Sequence, residues 1–114
     1  MAEIDVLTTT IAATGTLSPE IDIGTKSLVG LQLPSGWVTA AITFQVSIDG
    51  GATWGALLDG ATGTVYTIPS VAGGSQVAIG IDPAKLRGWS SFKIQSGASQ
   101  TNGVTISLIT RLAL

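Results

Sequence analysis

The 114-residue chain contains no cysteine and no histidine. Without cysteine there is no disulfide scaffold and no thiolate metal site, and the redox compartment is left open. Without histidine the commonest general base, the commonest metal ligand and the usual pH switch are missing together. That argues against nucleophilic triads and zinc centres, so neither a metal nor a cofactor is expected. Charge is scarce as well. Five basic residues face seven acidic ones, and charged residues make up 11% of the chain, against about 25% in an average domain. Lys26, Lys85, Arg87, Lys93 and Arg111 form no run, so the basic patch that a nucleic-acid partner needs is missing. A net charge of −2 gives little long-range steering. Hydrophobic residues reach 45%, but in short runs that never approach the roughly 18 apolar residues of a membrane span. No membrane partner is expected. Met1-Ala2-Glu3-Ile4-Asp5 lacks the basic and apolar regions of a signal peptide, which leads to the expectation of synthesis in a host cytoplasm.

What is present is alternation with a period of two. Val29, Leu31 and Leu33 flank Gly30 and Gln32. Ile42, Phe44, Val46 and Ile48 alternate with Thr43, Gln45 and Ser47. Val77, Ile79 and Ile81, then Phe92 and Ile94, then Val104, Ile106 and Leu108 repeat the pattern. Each run buries one face of a strand. Turn signals separate the runs, among them Ser18-Pro19, Pro34-Ser35-Gly36, Asp59-Gly60, Pro69, Gly73-Gly74 and Asn102-Gly103. One segment breaks the pattern: Asp82-Pro83-Ala84-Lys85-Leu86-Arg87-Gly88 offers an N-cap, a proline at the first helical position and a glycine stop. The length fits one domain. The expectation is an all-β, single-domain antiparallel β-sandwich, jelly-roll-like with about eight strands, and one short helical turn near residues 82–88. An immunoglobulin-like sandwich follows equally from short alternating strands. Residues 1–13, with the β-prone Thr8-Thr9-Thr10, are expected to form an N-terminal edge strand or arm, and residues 14–114 the sandwich.

Ser47-Ile48-Asp49-Gly50-Gly51-Ala52-Thr53-Trp54 carries the most local information. Asp49 can accept backbone N–H groups in an Asx-type turn. Gly50 and Gly51 permit the positive φ of a tight reversal. Ser47 and Thr53 can bond across the hairpin mouth, and Trp54 can cover it. Ser47, Asp49, Gly51, Thr53 and Trp54 are therefore expected to be a structural turn motif. The spacing resembles the Asp-box of sialidases and other secreted β proteins, and also the turn of discoidin-like, galactose-binding-like sandwiches. Ile21-Asp22-Ile23-Gly24 with Leu28 to Pro34 looks like the opening of a discoidin-like domain, where a ligand-facing loop precedes a strand. Ile42 to Trp54, Phe92 to Gly97 and Val104 to Leu112 look like its later strands. Pro34-Ser35-Gly36-Trp37 and Lys93-Ile94-Gln95-Ser96-Gly97 are similar to pieces of small structural proteins encoded near the capsid genes of tailed phages.

That resemblance implies a non-catalytic virion structural protein: a capsid decoration protein, or a head fibre or spike component. It would pack against the capsid, other virion proteins or itself as a homo-oligomer. Scarce charge with many small polar residues agrees with such a role. The alternative is a carbohydrate-binding module with a glycan partner. Sugar recognition wants exposed aromatic faces at loops, and Trp37 and Trp89 sit at loop–strand junctions as its ligand-binding candidates. The plainer reading of each is a rim residue capping the core. No enzyme is expected, because Asp22, Asp49, Asp59 and Asp82 each occupy a turn or strand position with a structural explanation, and no spacing argues for a glycosidase carboxylate pair. No cluster of acids resembles a dedicated calcium loop.

Overall fold

Alternation in the long runs decides which side chains meet in the interior. In the computed structural model, residues 4–24, 26–47, 49–72, 77–81, 86, 89 and 91–112 are described, with the backbone alone at 70, 71 and 112. Ten strands form two antiparallel sheets: β1 (Ile4–Ile11), β2 (Gly15–Leu17), β3 (Ile21–Asp22), β4 (Lys26–Leu33), β5 (Ala40–Val46), β6 (Gly55–Ala56), β7 (Ile68–Val71), β8 (Val77–Gly80), β9 (Ser91–Gln100) and β10 (Val104–Leu112). The first sheet runs β1-β10-β4-β8. The second is built on the β9–β5 pair, with β2 and β3 on one side of β9 and β6 and β7 on the other side of β5. The count exceeds the expected eight because β2, β3 and β6 span only three, two and two residues, too short to leave a period in the sequence.

The interior faces interlock between the sheets. Leu28, Leu31, Leu33, Ile106 and Leu108 from the first sheet and Ile42, Phe44, Phe92 and Ile94 from the second are all at most 1% exposed. The Phe44 ring meets Phe92 edge-on at 6.0 Å and stacks on Tyr66 at 6.0 Å. Burying each large aliphatic or aromatic side chain contributes about 1.5–3 kcal/mol, so these layers supply the main drive for folding.

The chain passes between sheets twice at one corner. Residues 12–14 carry it from β1 to β2, and residues 101–103 carry it from β9 to β10. The two crossings brace each other. The Thr14 N–H donates to the Gln100 carbonyl at 2.7 Å, and the Ser99 hydroxyl donates to the Thr14 carbonyl at 2.7 Å. Gly103 has φ 71°, and a Cβ there would lie 3.1 Å from the Ala13 nitrogen. Asn102-Gly103 is thus a turn, as its sequence suggests, and glycine is also what lets the two crossings touch.

Two sequence expectations are revised by this arrangement. Pro69 does not end a run; it lies inside β7, which pairs with β5 across a register shift. A proline is tolerated in such an edge strand because its missing N–H interrupts no continuing ladder. Ile21-Asp22 is not loop but β3, with Ile21 buried against the core. Within the expected helical turn at 82–88, Leu86 is helical and buried, and its carbonyl accepts the Trp89 N–H at 3.0 Å. Residues 82–85 and 87–88 lie outside the described residues.

Candidate functional site

The turn after β5 is built by its own side chains. The Ser47 hydroxyl donates to Asp49 Oδ1 at 2.7 Å and accepts the Gly51 N–H at 2.9 Å. Asp49 Oδ1 also accepts the Thr53 N–H at 2.9 Å, while its Oδ2 accepts the Thr53 hydroxyl. The Thr53 hydroxyl foremost, then the Thr53 N–H and the Ser47 hydroxyl, draw the Asp49 pKa down to about 2. The carboxylate is therefore ionised and committed to the turn. Gly50 and Gly51 take φ 75° and 99°. Trp54 closes the motif: its indole N–H donates to the Gly51 carbonyl at 3.1 Å, and the Lys93 ammonium lies 4.5 Å above its ring. Every member of the motif has a partner within the protein, and none is poised for acid–base work.

The other described turn acids behave alike. Asp22 Oδ1 accepts the Gly24 N–H at 2.8 Å, and Asp59 Oδ1 accepts the Ala61 N–H at 2.9 Å. Among the described residues no three of Asp, Glu, His or Cys converge as metal ligands would. Asp82 lies outside the described residues.

The two tryptophan candidates are set apart from solvent to different degrees. Trp37 is 3% exposed and belongs to the core, so it presents no open ring face for a sugar to stack on. It follows the Pro34-Ser35-Gly36 turn, which the Trp37 N–H closes on the Pro34 carbonyl at 3.1 Å. Its indole N–H meets no acceptor among the described residues. Trp89 is half-buried and packs on the core from outside.

One residue that the sequence reading passed over organises the corner. Gln100 is fully buried. Its Oε1 accepts the Val38 N–H at 2.8 Å, and its Nε2 donates to the Val38 carbonyl at 3.1 Å and the Ser96 hydroxyl at 3.0 Å. The side-chain amide pairs with a peptide as a neighbouring strand would. Continuing the Phe92–Ile94 alternation places Ser96 and Gln100 on the core face, which is the signal that could have found them.

A groove lies on one side of the sandwich. There β1 of the first sheet and residues 19–22 of the second border a groove of about 640 Å³. No aromatic residue lines it; its walls are the Thr8-Thr9-Thr10 run, Val6, Leu7 and the 19–22 segment with Glu20 and Asp22. The outer edge of β1 pairs with no strand among the described residues, and Ile4 and Val6 are each 60% exposed. This arrangement offers extended backbone and hydroxyls.

No family model matches the chain, and no curated protein matches it in sequence. The discoidin-like and Asp-box resemblances therefore stand on the quoted residues alone. Among solved structures, the fold is similar to the crystal structure of the SPBc2 prophage-derived protein YomS, over 97% of this chain and 95% of that chain, with a TM-score of 0.54 and 18% identity. At that identity the likeness is one of fold: the same β-rich architecture from end to end in a phage-derived protein.

Proposed function

We propose that this chain is a non-catalytic structural protein of a phage virion: a capsid decoration protein, or a head fibre or spike component, that packs against the capsid or against copies of itself. The observation that carries the reading is the end-to-end likeness of its fold to a prophage-derived protein. The chemistry supports it. The chain has no histidine or cysteine, and its described turn carboxylates that hold backbone N–H groups are occupied in shaping loops. Thr-rich strands with little charge suit permanent contact with other protein surfaces better than diffusion among solutes. On this reading the protein is made in the host cytoplasm and resides in the virion.

The alternative is the carbohydrate-binding module that a discoidin-like sandwich with an Asp-box-type turn would suggest. Its support is Trp89, half-buried and so partly open; Trp37 would have to leave the core to take part. Co-sedimentation of the purified chain with capsid shells from the same genome tests the first reading. Saturable binding is the expected result. A chain that stays in the supernatant at every concentration, while a glycan array gives hits that Trp89→Ala removes, overturns it in favour of the second.

A further inference from the structure

We infer that β1 is a pairing edge, through which two copies of this chain join antiparallel about a two-fold axis so that the first sheet of one continues into the first sheet of the other. The inference rests on the structural-protein reading and names one of its partners. It begins from a contrast among sheet edges. Natural sheets blunt their edges with short strands, prolines, charges or irregular register, because a bare edge pairs with whatever strand it meets. The other described edges follow that rule. β8 has four residues and β6 two. Ser18-Pro19 separates β2 from β3, and β2 also slips register. β7 carries Pro69 and slips register as well.

β1 has no proline, no short span and no register shift, and carries a single charge. It spans eight residues without proline or glycine, in unbroken register with β10 from Ile4↔Arg111 to Ile11↔Val104. Its one charged residue, Asp5, is neutralised within the chain by Lys26. Its outward residues Ile4 and Val6 are 60% exposed, apolar side chains that gain cross-strand neighbours when a second strand pairs. The groove beneath it leaves room for the approach of a second body.

A second copy fits this edge for reasons of charge and symmetry. A strand laid antiparallel on itself makes an isologous contact that closes at two chains. Centring the pair on Thr8 sets Thr8 against its own symmetry mate, Val6 against Thr10, Leu7 against Thr9 and Asp5 against Ile11. No like charges oppose one another, and threonine and apolar–threonine cross-strand pairs are favourable ones. A strand pair alone is small beside the roughly 800 Å² per partner of a stable dimer. Residues 19–22, on the same side of the sandwich, have to close in the same contact, and the result is a concentration-dependent monomer–dimer equilibrium.

The test uses the full chain, whose lack of cysteine makes an introduced thiol unique. Directly opposed residues of an antiparallel pair have Cα atoms about 4.5–5.5 Å apart, within disulfide reach. Under mild oxidation Thr8→Cys should give a covalent dimer, or Val6→Cys should if the register differs. Leu58→Cys, in the β6–β7 connection and 53% exposed, should stay monomeric. Native mass should double with concentration in the unmodified chain and remain single in Val6→Lys/Thr8→Lys, with an unchanged circular dichroism spectrum showing that this variant is folded. A chain monomeric at all concentrations, cross-linking no better at β1 than at Leu58, or a lysine variant that still dimerises, overturns the inference. A monomer that co-sediments with shells overturns edge pairing while leaving the virion role, and turns β1 into an acceptor for a capsid protein's strand. A β1-paired dimer that ignores shells overturns the virion role alone.

Discussion

The corner at Gln100 and the free edge of β1 are both places where backbone polar groups leave the regular ladders, and they meet that problem in opposite ways. At the corner a fully buried side-chain amide answers both peptide groups of Val38. The two crossings bond each other through Thr14, Ser99 and Gln100. At the edge, one side of an eight-residue strand meets no strand among the described residues. Buried polar groups without partners are costly, so the corner has to be satisfied from within. An exposed edge is satisfied by water and can wait for a partner. The contrast teaches where this molecule is complete as a monomer and where it is open to extension.

Breaking the corner should have the largest effect. Gln100→Leu keeps bulk in the core but leaves the Val38 N–H and carbonyl unanswered, at about 1–3 kcal/mol for each unmet group. We expect a loss on the order of 3 kcal/mol in chemical denaturation, with β1 pairing unaffected in the population that stays folded. A smaller change of opposite sign is expected at Thr14, a β-branched residue held at φ 65°. Left-handed backbone costs such a residue roughly 1–2 kcal/mol. Thr14→Gly, which removes that strain at some cost in chain entropy, should raise stability by up to about 1 kcal/mol. If it lowers stability instead, the corner depends on the threonine side chain and not on the backbone path.

The turn at Asp49 sharpens the comparison, because its polar groups are paired yet open to solvent. The depressed pKa of about 2 means that the folded state holds the ionised form more tightly than the unfolded chain does. The stability this contributes is fully present above the ordinary carboxylate value near 3.8 and is lost as pH falls through about 2. Solvent screening makes the effect the smallest of the three. An acid titration of thermal midpoint should show a fall between those pH values that is absent in Asp49→Ala.

The long strands were legible because each buries one face, and burial writes a period of two into the sequence. β5, β9 and β10 each contain an expected run; in β4 the run holds at Leu31 and Leu33, but Val29 is only half-buried because the register with β10 shifts at Ile109/Thr110. The 47–54 turn was legible in its residues but not in its pairings: Asp49 takes the N–H of Thr53, four positions on, and the Ser47 and Thr53 hydroxyls both bond Asp49. Trp37 read first as a cap on the core, and the structure buries it there; a tryptophan after Pro-Ser-Gly also allows a loop ligand, and the choice depends on the space that distant strands leave for its ring. Gln100 was missed because the peptide it serves lies 62 positions away. The short strands β2, β3 and β6 carry too few residues for any period.

The sequence by itself determined the strand class, the scarcity of groups able to do chemistry and the self-contained turn at Asp49, because each depends on near neighbours or on composition. Three outcomes come from the assembled sheets: Trp37 turns inward, Gln100 stands in for a strand, and one side of β1 meets no strand among the described residues. Those outcomes depend on which segments meet across the two sheets. That meeting is set by the packing of the whole core, and no local stretch of residues encodes it.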